Sequence, residues 1–81
     1  MWHTTTEDFN RQYEKLPQKI RAKFDKQVLY LDSNFRHPSL QAKKYGGSED
    51  VFQARVDQFY RFYFKINGDC YIIFNIIHHP K

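Results

Sequence analysis

Two arginines and a pair of histidines, Arg55, Arg61, His78 and His79, are the residues whose types and spacing could do chemistry. Arginine carries a planar fork of donors that can bind a phosphate through two hydrogen bonds at once. Histidine can give or take a proton near neutral pH. Gathered on one surface, these groups could hold a phosphodiester and move protons while it is cut. A plainer account is also open: the arginines form a solvated network with Asp57, and the histidines are an exposed pair at a strand end. Neighbouring residues of a strand point to opposite faces, so at most one histidine shares the arginine face unless a bulge intervenes.

Four further side chains could support RNA binding. Lys43, Lys44 and Lys65 can neutralise phosphates, and Tyr63 can stack on an unpaired base. Their ordinary roles would be protection of a sheet edge and surface packing. No metal site is expected: His3, His37, His78 and His79 lack a known ligand spacing, and Cys70 stands alone. Gly46-Gly47 has neither the strand–helix context nor the following lysine of a phosphate loop.

The elements that must position these groups can be read from pattern. Thr4 stands three residues before Glu7, as in a capping box, and Glu7 and Asp8 suit the positive end of a helix. Phe9, Tyr13 and Leu16 then form one apolar stripe, and Pro17 interrupts it. A second helix is expected over 18–33. Ile20, Phe24, Val28 and Leu31 form its buried face, Gln27 and Tyr30 its margins, and Lys19, Arg21, Lys23 and Lys26 its solvated side. His37-Pro38-Ser39-Leu40 reads as a connector, 40–45 as a short edge strand and 46–50 as a loop.

Three strand-like runs close the sequence. In the first, Phe52, Ala54 and Val56 share one face and Gln53, Arg55 and Asp57 the other. In the second, Tyr60, Phe62, Phe64 and Ile66 oppose Arg61, Tyr63 and Lys65. The third, 70–79, is apolar on both faces until Asn75, as a central strand would be. A three-residue connection over 57–59 pairs Val56 with Tyr60 and places Arg55 opposite Arg61. Like charges so placed destabilise a sheet, a cost better borne where an anion binds. An Asn67-Gly68 turn puts Ile66 opposite Asp69, Phe64 opposite Tyr71 and Arg61 opposite Phe74, and brings His78 to the arginine face. The expected fold class is α+β: an N-terminal helical hairpin packed on a small curled antiparallel sheet of three to four strands.

Composition agrees with a small binding protein. The chain has 81 residues, which fits a single domain over 1–81. A domain of this size buries a modest core, and an aromatic content of 19% helps to fill it. A net charge of +4 suits a polyanion or an acidic protein partner, although it also serves solubility. With one cysteine no internal disulfide forms, which fits a cytoplasmic location. No apolar run approaches the ~18 residues of a membrane helix, and no signal-peptide pattern is present.

In order and spacing, several segments resemble the RelE/ParE toxin superfamily: Lys15-Leu16-Pro17, His37-Pro38-Ser39-Leu40, Lys43-Lys44-Tyr45-Gly46-Gly47, Ala54-Arg55-Val56, Tyr60-Arg61-Phe62 and His78-His79. Members usually begin with a strand, of which residues 1–4 read as a stub. The resemblance implies the toxin of a type II toxin–antitoxin system, neutralised by a cognate antitoxin. In RelE-like members it implies an endoribonuclease that cuts ribosome-bound mRNA without a cofactor. A ribose 2′-OH attacks the adjacent phosphate and leaves a 2′,3′-cyclic phosphate. By position, Arg61 would hold the scissile phosphate, Arg55 would assist it, and His78 or His79 would be an acid or base. A ParE-like toxin would instead bind DNA gyrase and cut no RNA, and a non-catalytic relic would only bind its antitoxin.

Overall fold

The computed structural model describes residues 2–46 and 50–79; of the loop expected over 46–50, residues 47–49 lie outside them. Strand β1 (Trp2–Thr5) leads into helix α1 (Glu7–Glu14) and helix α2 (Gln18–Ser33). A short 3₁₀ turn (Pro38–Leu40) precedes strands β2 (Lys43–Lys44), β3 (Val51–Arg55), β4 (Tyr60–Asn67) and β5 (Cys70–His78). The strands form one sheet in the order β1-β5-β4-β3-β2.

The α+β class stands, but the sheet has five strands rather than three to four, and it is mixed rather than antiparallel. Residues 2–5 are a full strand, not a stub, and run parallel to β5 from Trp2 beside Cys70 to Thr5 beside Ile73. Four residues are too few for a local alternation signal, and their partner lies at the far end of the sequence. The helical hairpin therefore follows a strand instead of opening the chain. Because β1 claims Thr4, the helix cap moves to Thr6, whose hydroxyl accepts from the Phe9 amide at 3.2 Å. Thr4 and Glu7 do not form the expected capping box.

Helix α2 has the expected bounds and buries Ile20, Phe24, Gln27, Val28 and Leu31. Phe24 joins the layers, with its ring centroid 5.2 Å from both Phe9 of α1 and Phe62 of β4. Phe62, Phe64, Tyr71, Ile73, Leu31 and Leu40 are the largest fully buried side chains. Each contributes about 1.5–3 kcal/mol by leaving water, so aromatic and branched residues from both layers supply most of the cohesion. Leu40 enters this core from the 3₁₀ turn, which shortens the expected edge strand to Lys43–Lys44. β5 is an interior strand, although β4 is the middle one.

Register within the β4–β5 hairpin departs from expectation twice. The turn residues are Gly68 and Asp69, so Asn67 faces Cys70, Ile66 faces Tyr71 and Phe64 faces Ile73. Gly68 has φ +61°, and no other residue of this turn has positive φ. That is the II′ pattern with glycine first, not the I′ pattern centred on Asn67-Gly68. This slip leaves every side chain on its expected face. The second departure does not: the register shifts between Phe64↔Ile73 and Tyr63↔Asn75, leaving Phe74 as an extra residue. A bulge of this kind reverses the alternation beyond it. Arg61 consequently faces Ile77 rather than Phe74, and His78 faces Tyr60 on the helix side of the sheet.

Candidate nucleic-acid interface

The sheet face away from the helices collects the basic residues. Arg55 and Arg61 stand opposite each other, as the three-residue connection implied. Lys43 pairs with Gln53 and Lys65 with Val51 on the same face. Lys65 is exposed, and its ammonium lies 5.6 Å from the Phe74 ring centroid. Lys44 pairs with Phe52 and so belongs to the other face, at the exposed edge.

Each arginine is held through the backbone near it. The guanidinium Nη1 of Arg61 donates to the carbonyls of Asp57 at 2.6 Å and Tyr60 at 3.0 Å. Its remaining nitrogens make no hydrogen bond among the described residues. The Arg55 carbonyl accepts from the side-chain amide of Gln27 at 2.7 Å, which ties this end of β3 to α2. The Arg55 side chain takes part in none of the three ion pairs among the described residues.

Asp57 does not neutralise the arginines. Its carboxylate accepts from the amides of Phe59 at 2.8 Å and Tyr60 at 2.9 Å and pairs with Lys23 at 3.2 Å. Burial pushes its pKa up, but the Phe59 and Tyr60 amides and Lys23 outweigh that, so the net shift is downward. Asp57 therefore organises the 57–59 turn and leaves the arginine pair without a carboxylate partner among the described residues, contrary to the solvated Arg–Asp network.

Tyr63 is on the arginine face but is 7% exposed, so it is not an open stacking platform. Tyr45 covers it, edge to face at 4.9 Å, and Tyr45 itself is 49% exposed. Burial raises the Tyr63 pKa, with Tyr45 adding to the shift and Arg61 opposing it. The available ring is thus Tyr45, which the Tyr45 amide to Val51 carbonyl bond of 2.9 Å holds in ladder with β3. Period-two spacing from Lys43 was the signal that could have found it.

The histidines part company. His78 makes edge contact with Tyr60 at 5.2 Å and stacks on Phe59 at 6.1 Å, away from the arginines. His79 follows the last residue of β5, and its amide donates to the Phe59 carbonyl. Sequence reasoning also missed Asn75, whose Oδ1 accepts from Gln12 at 2.7 Å. No group of three or more His, Cys, Asp or Glu among the described residues could hold a metal ion.

A parallel N-terminal strand beside the last one and two helices before the remaining strands make up a fold that solved toxin structures share. The chain matches a YoeB/ParE toxin from Agrobacterium tumefaciens with a TM-score of 0.82 at 13% identity, covering 99% of this chain and 100% of that one. It matches the RelB–RelE antitoxin–toxin complex of Methanococcus jannaschii with a TM-score of 0.77 at 23% identity, covering 91% and 87%. The isolated Escherichia coli RelE toxin gives 0.78 at 13% identity over 99% and 85%. No protein-family model and no curated protein sequence matches the chain. At these identities the likeness is one of fold.

Proposed function

We propose that this chain is the toxin of a type II toxin–antitoxin pair and an endoribonuclease that cuts mRNA on the ribosome. The observation that carries the proposal is the Arg55–Arg61 pair, set on the sheet face away from the helices with no carboxylate partner among the described residues. Two like charges side by side raise the energy of the free protein, and a bound phosphate relieves that cost. Lys43 and Lys65 extend the positive surface along the RNA backbone.

In the reaction, the ribose 2′-oxygen bonds to phosphorus and the bond from phosphorus to the 5′-oxygen breaks. The 2′-hydroxyl loses a proton and the leaving oxygen gains one. Charge on the phosphoryl oxygens rises between these events, and Arg61 and Arg55 would stabilise it. His79 is proposed to move a proton, because the register turns His78 away from the arginines. Neither step requires a cofactor. The partners would be ribosome-bound mRNA and an antitoxin covering the basic face. A ribosomal target implies action in the cytoplasm, and no described helix is long and apolar enough to cross a membrane.

The test is cleavage of ribosome-bound mRNA by the purified chain and by Arg61→Ala, with the cut ends mapped. Cuts in the A-site codon that fall about 10²–10³-fold in the variant are expected. Absence of cuts from folded protein would overturn the nuclease function and favour a gyrase-binding or antitoxin-binding role.

A further inference from the structure

Beside the arginines, the same face carries a groove of about 330 Å³ lined by Tyr45, Val51, Tyr63, Phe74, Asn75 and Ile77. Its volume is at the low end for a small-molecule site, enough for one ring system. Its walls are mainly apolar and aromatic, and Tyr45 stands at its rim. One amide, Asn75, interrupts this lining.

The orientation of that amide is determined by a backbone group. The Ile76 N–H can only donate, and it donates to Oε1 of Gln12 at 3.1 Å. The other end of the Gln12 amide must then be its NH₂, which donates to Oδ1 of Asn75 at 2.7 Å. Asn75 Oδ1 is therefore engaged by Gln12, and Nδ2 is the end of the amide with no partner among the described residues. The bulge at Phe74 makes this possible, because it sets Phe74 and Asn75 together on the arginine face.

We propose that this groove is a nucleobase-recognition subsite in which Asn75 selects bases that present a carbonyl oxygen where adenine and cytosine carry their amino group. An RNA base is the occupant that fits: its phosphate can rest on the neighbouring arginines while its ring lies against Tyr45. Guanine and uracil offer a carbonyl oxygen where adenine and cytosine offer an amino group. The Nδ2 donor pairs with the carbonyl and meets the amino group donor to donor, so keto bases are favoured. The subsite supplies the base selectivity of the proposed nuclease and rests on that function only for its consequence in cleavage.

The test begins with binding. Uncleavable 2′-O-methyl trinucleotides of G, U, A and C are titrated into the purified chain and into Asn75→Asp, Tyr45→Ala and Gln12→Ala, each checked for a native circular dichroism spectrum. Asn75→Asp retains the oxygen that accepts from Gln12 and replaces the Nδ2 donor with an acceptor. The wild type should favour G and U about tenfold, and Asn75→Asp should reverse the order towards A and C. Tyr45→Ala should weaken all four about equally. No binding, no base preference, or an unchanged preference in a folded Asn75→Asp would each overturn the subsite. Ribosomal cleavage is then mapped with the same proteins. Base-selective binding without cleavage leaves the subsite standing and removes the nuclease; cleavage whose base preference ignores Asn75→Asp removes the subsite alone.

Discussion

Replacing Gln27 with leucine should be among the most damaging changes that leave the volume of a side chain nearly constant. Gln27 is 5% exposed and sits in the apolar face of α2. Its amide nitrogen donates to the Arg55 carbonyl at 2.7 Å and the Ser39 carbonyl at 3.1 Å. Its oxygen accepts from the Ser39 hydroxyl at 3.0 Å. One side chain thus ties α2 to the connector and to the end of β3. A buried carbonyl left without a partner costs about 1–3 kcal/mol, and each bond whose partner can reach water about 0.5–1.5 kcal/mol. Leucine recovers part of this as apolar burial, so a net loss of about 3 kcal/mol is expected for Gln27→Leu. A domain of this size has about 5–15 kcal/mol in total and loses roughly 4–8 °C of Tm per kcal/mol, which makes the drop about 12–24 °C. Urea denaturation followed by far-ultraviolet circular dichroism measures it, with an unchanged slope confirming the same unfolding reaction. In a Ser39→Ala background the same substitution should cost about 1 kcal/mol less, because one of the three bonds is already gone. A loss below about 1 kcal/mol, or full additivity with Ser39→Ala, would refute the role assigned to Gln27.

Asp57→Asn should flatten the acid side of the stability profile. The folded protein holds the Asp57 pKa below the ordinary value, so its contribution is present at neutral pH and is lost as pH falls through and below about 4. Denaturation midpoints from pH 7 to pH 2 should therefore fall more steeply for the wild type than for the variant. Gln12→Leu should speed hydrogen exchange at the Ile76 amide, which loses its acceptor on the open edge of β5; unchanged exchange would remove that contact from the account. Phe24→Ala opens a cavity between the layers and should cost about 3–5 kcal/mol in the same denaturation assay. In the cleavage assay, His78→Ala should retain activity within about twofold, whereas Arg55→Ala should lose at least tenfold, because only Arg55 faces the proposed phosphate.

Features written in local spacing were legible in the sequence. The bounds and buried face of α2 follow from the recurrence of Ile20, Phe24, Val28 and Leu31. The Arg55–Arg61 pair follows from strict alternation on both strands and a three-residue connection that keeps their apolar faces together. The order of motifs sufficed to indicate the RelE/ParE toxin fold, which the solved structures share. Tertiary structure decided the rest. Pairing of Trp2–Thr5 with β5 depends on a partner distant in sequence, and no local pattern encodes it. The bulge at Phe74 arises where β5 must serve β4 along one edge while Gln12 takes its Ile76 amide on the other. A one-residue shift exchanges the faces of a strand, so that single irregularity sends His78 to the helices and Asn75 to the arginines. Alternation predicts which residues share a face only while the strand stays regular. Where it breaks is settled by contacts between elements, and in this protein that is where the candidate site takes its shape.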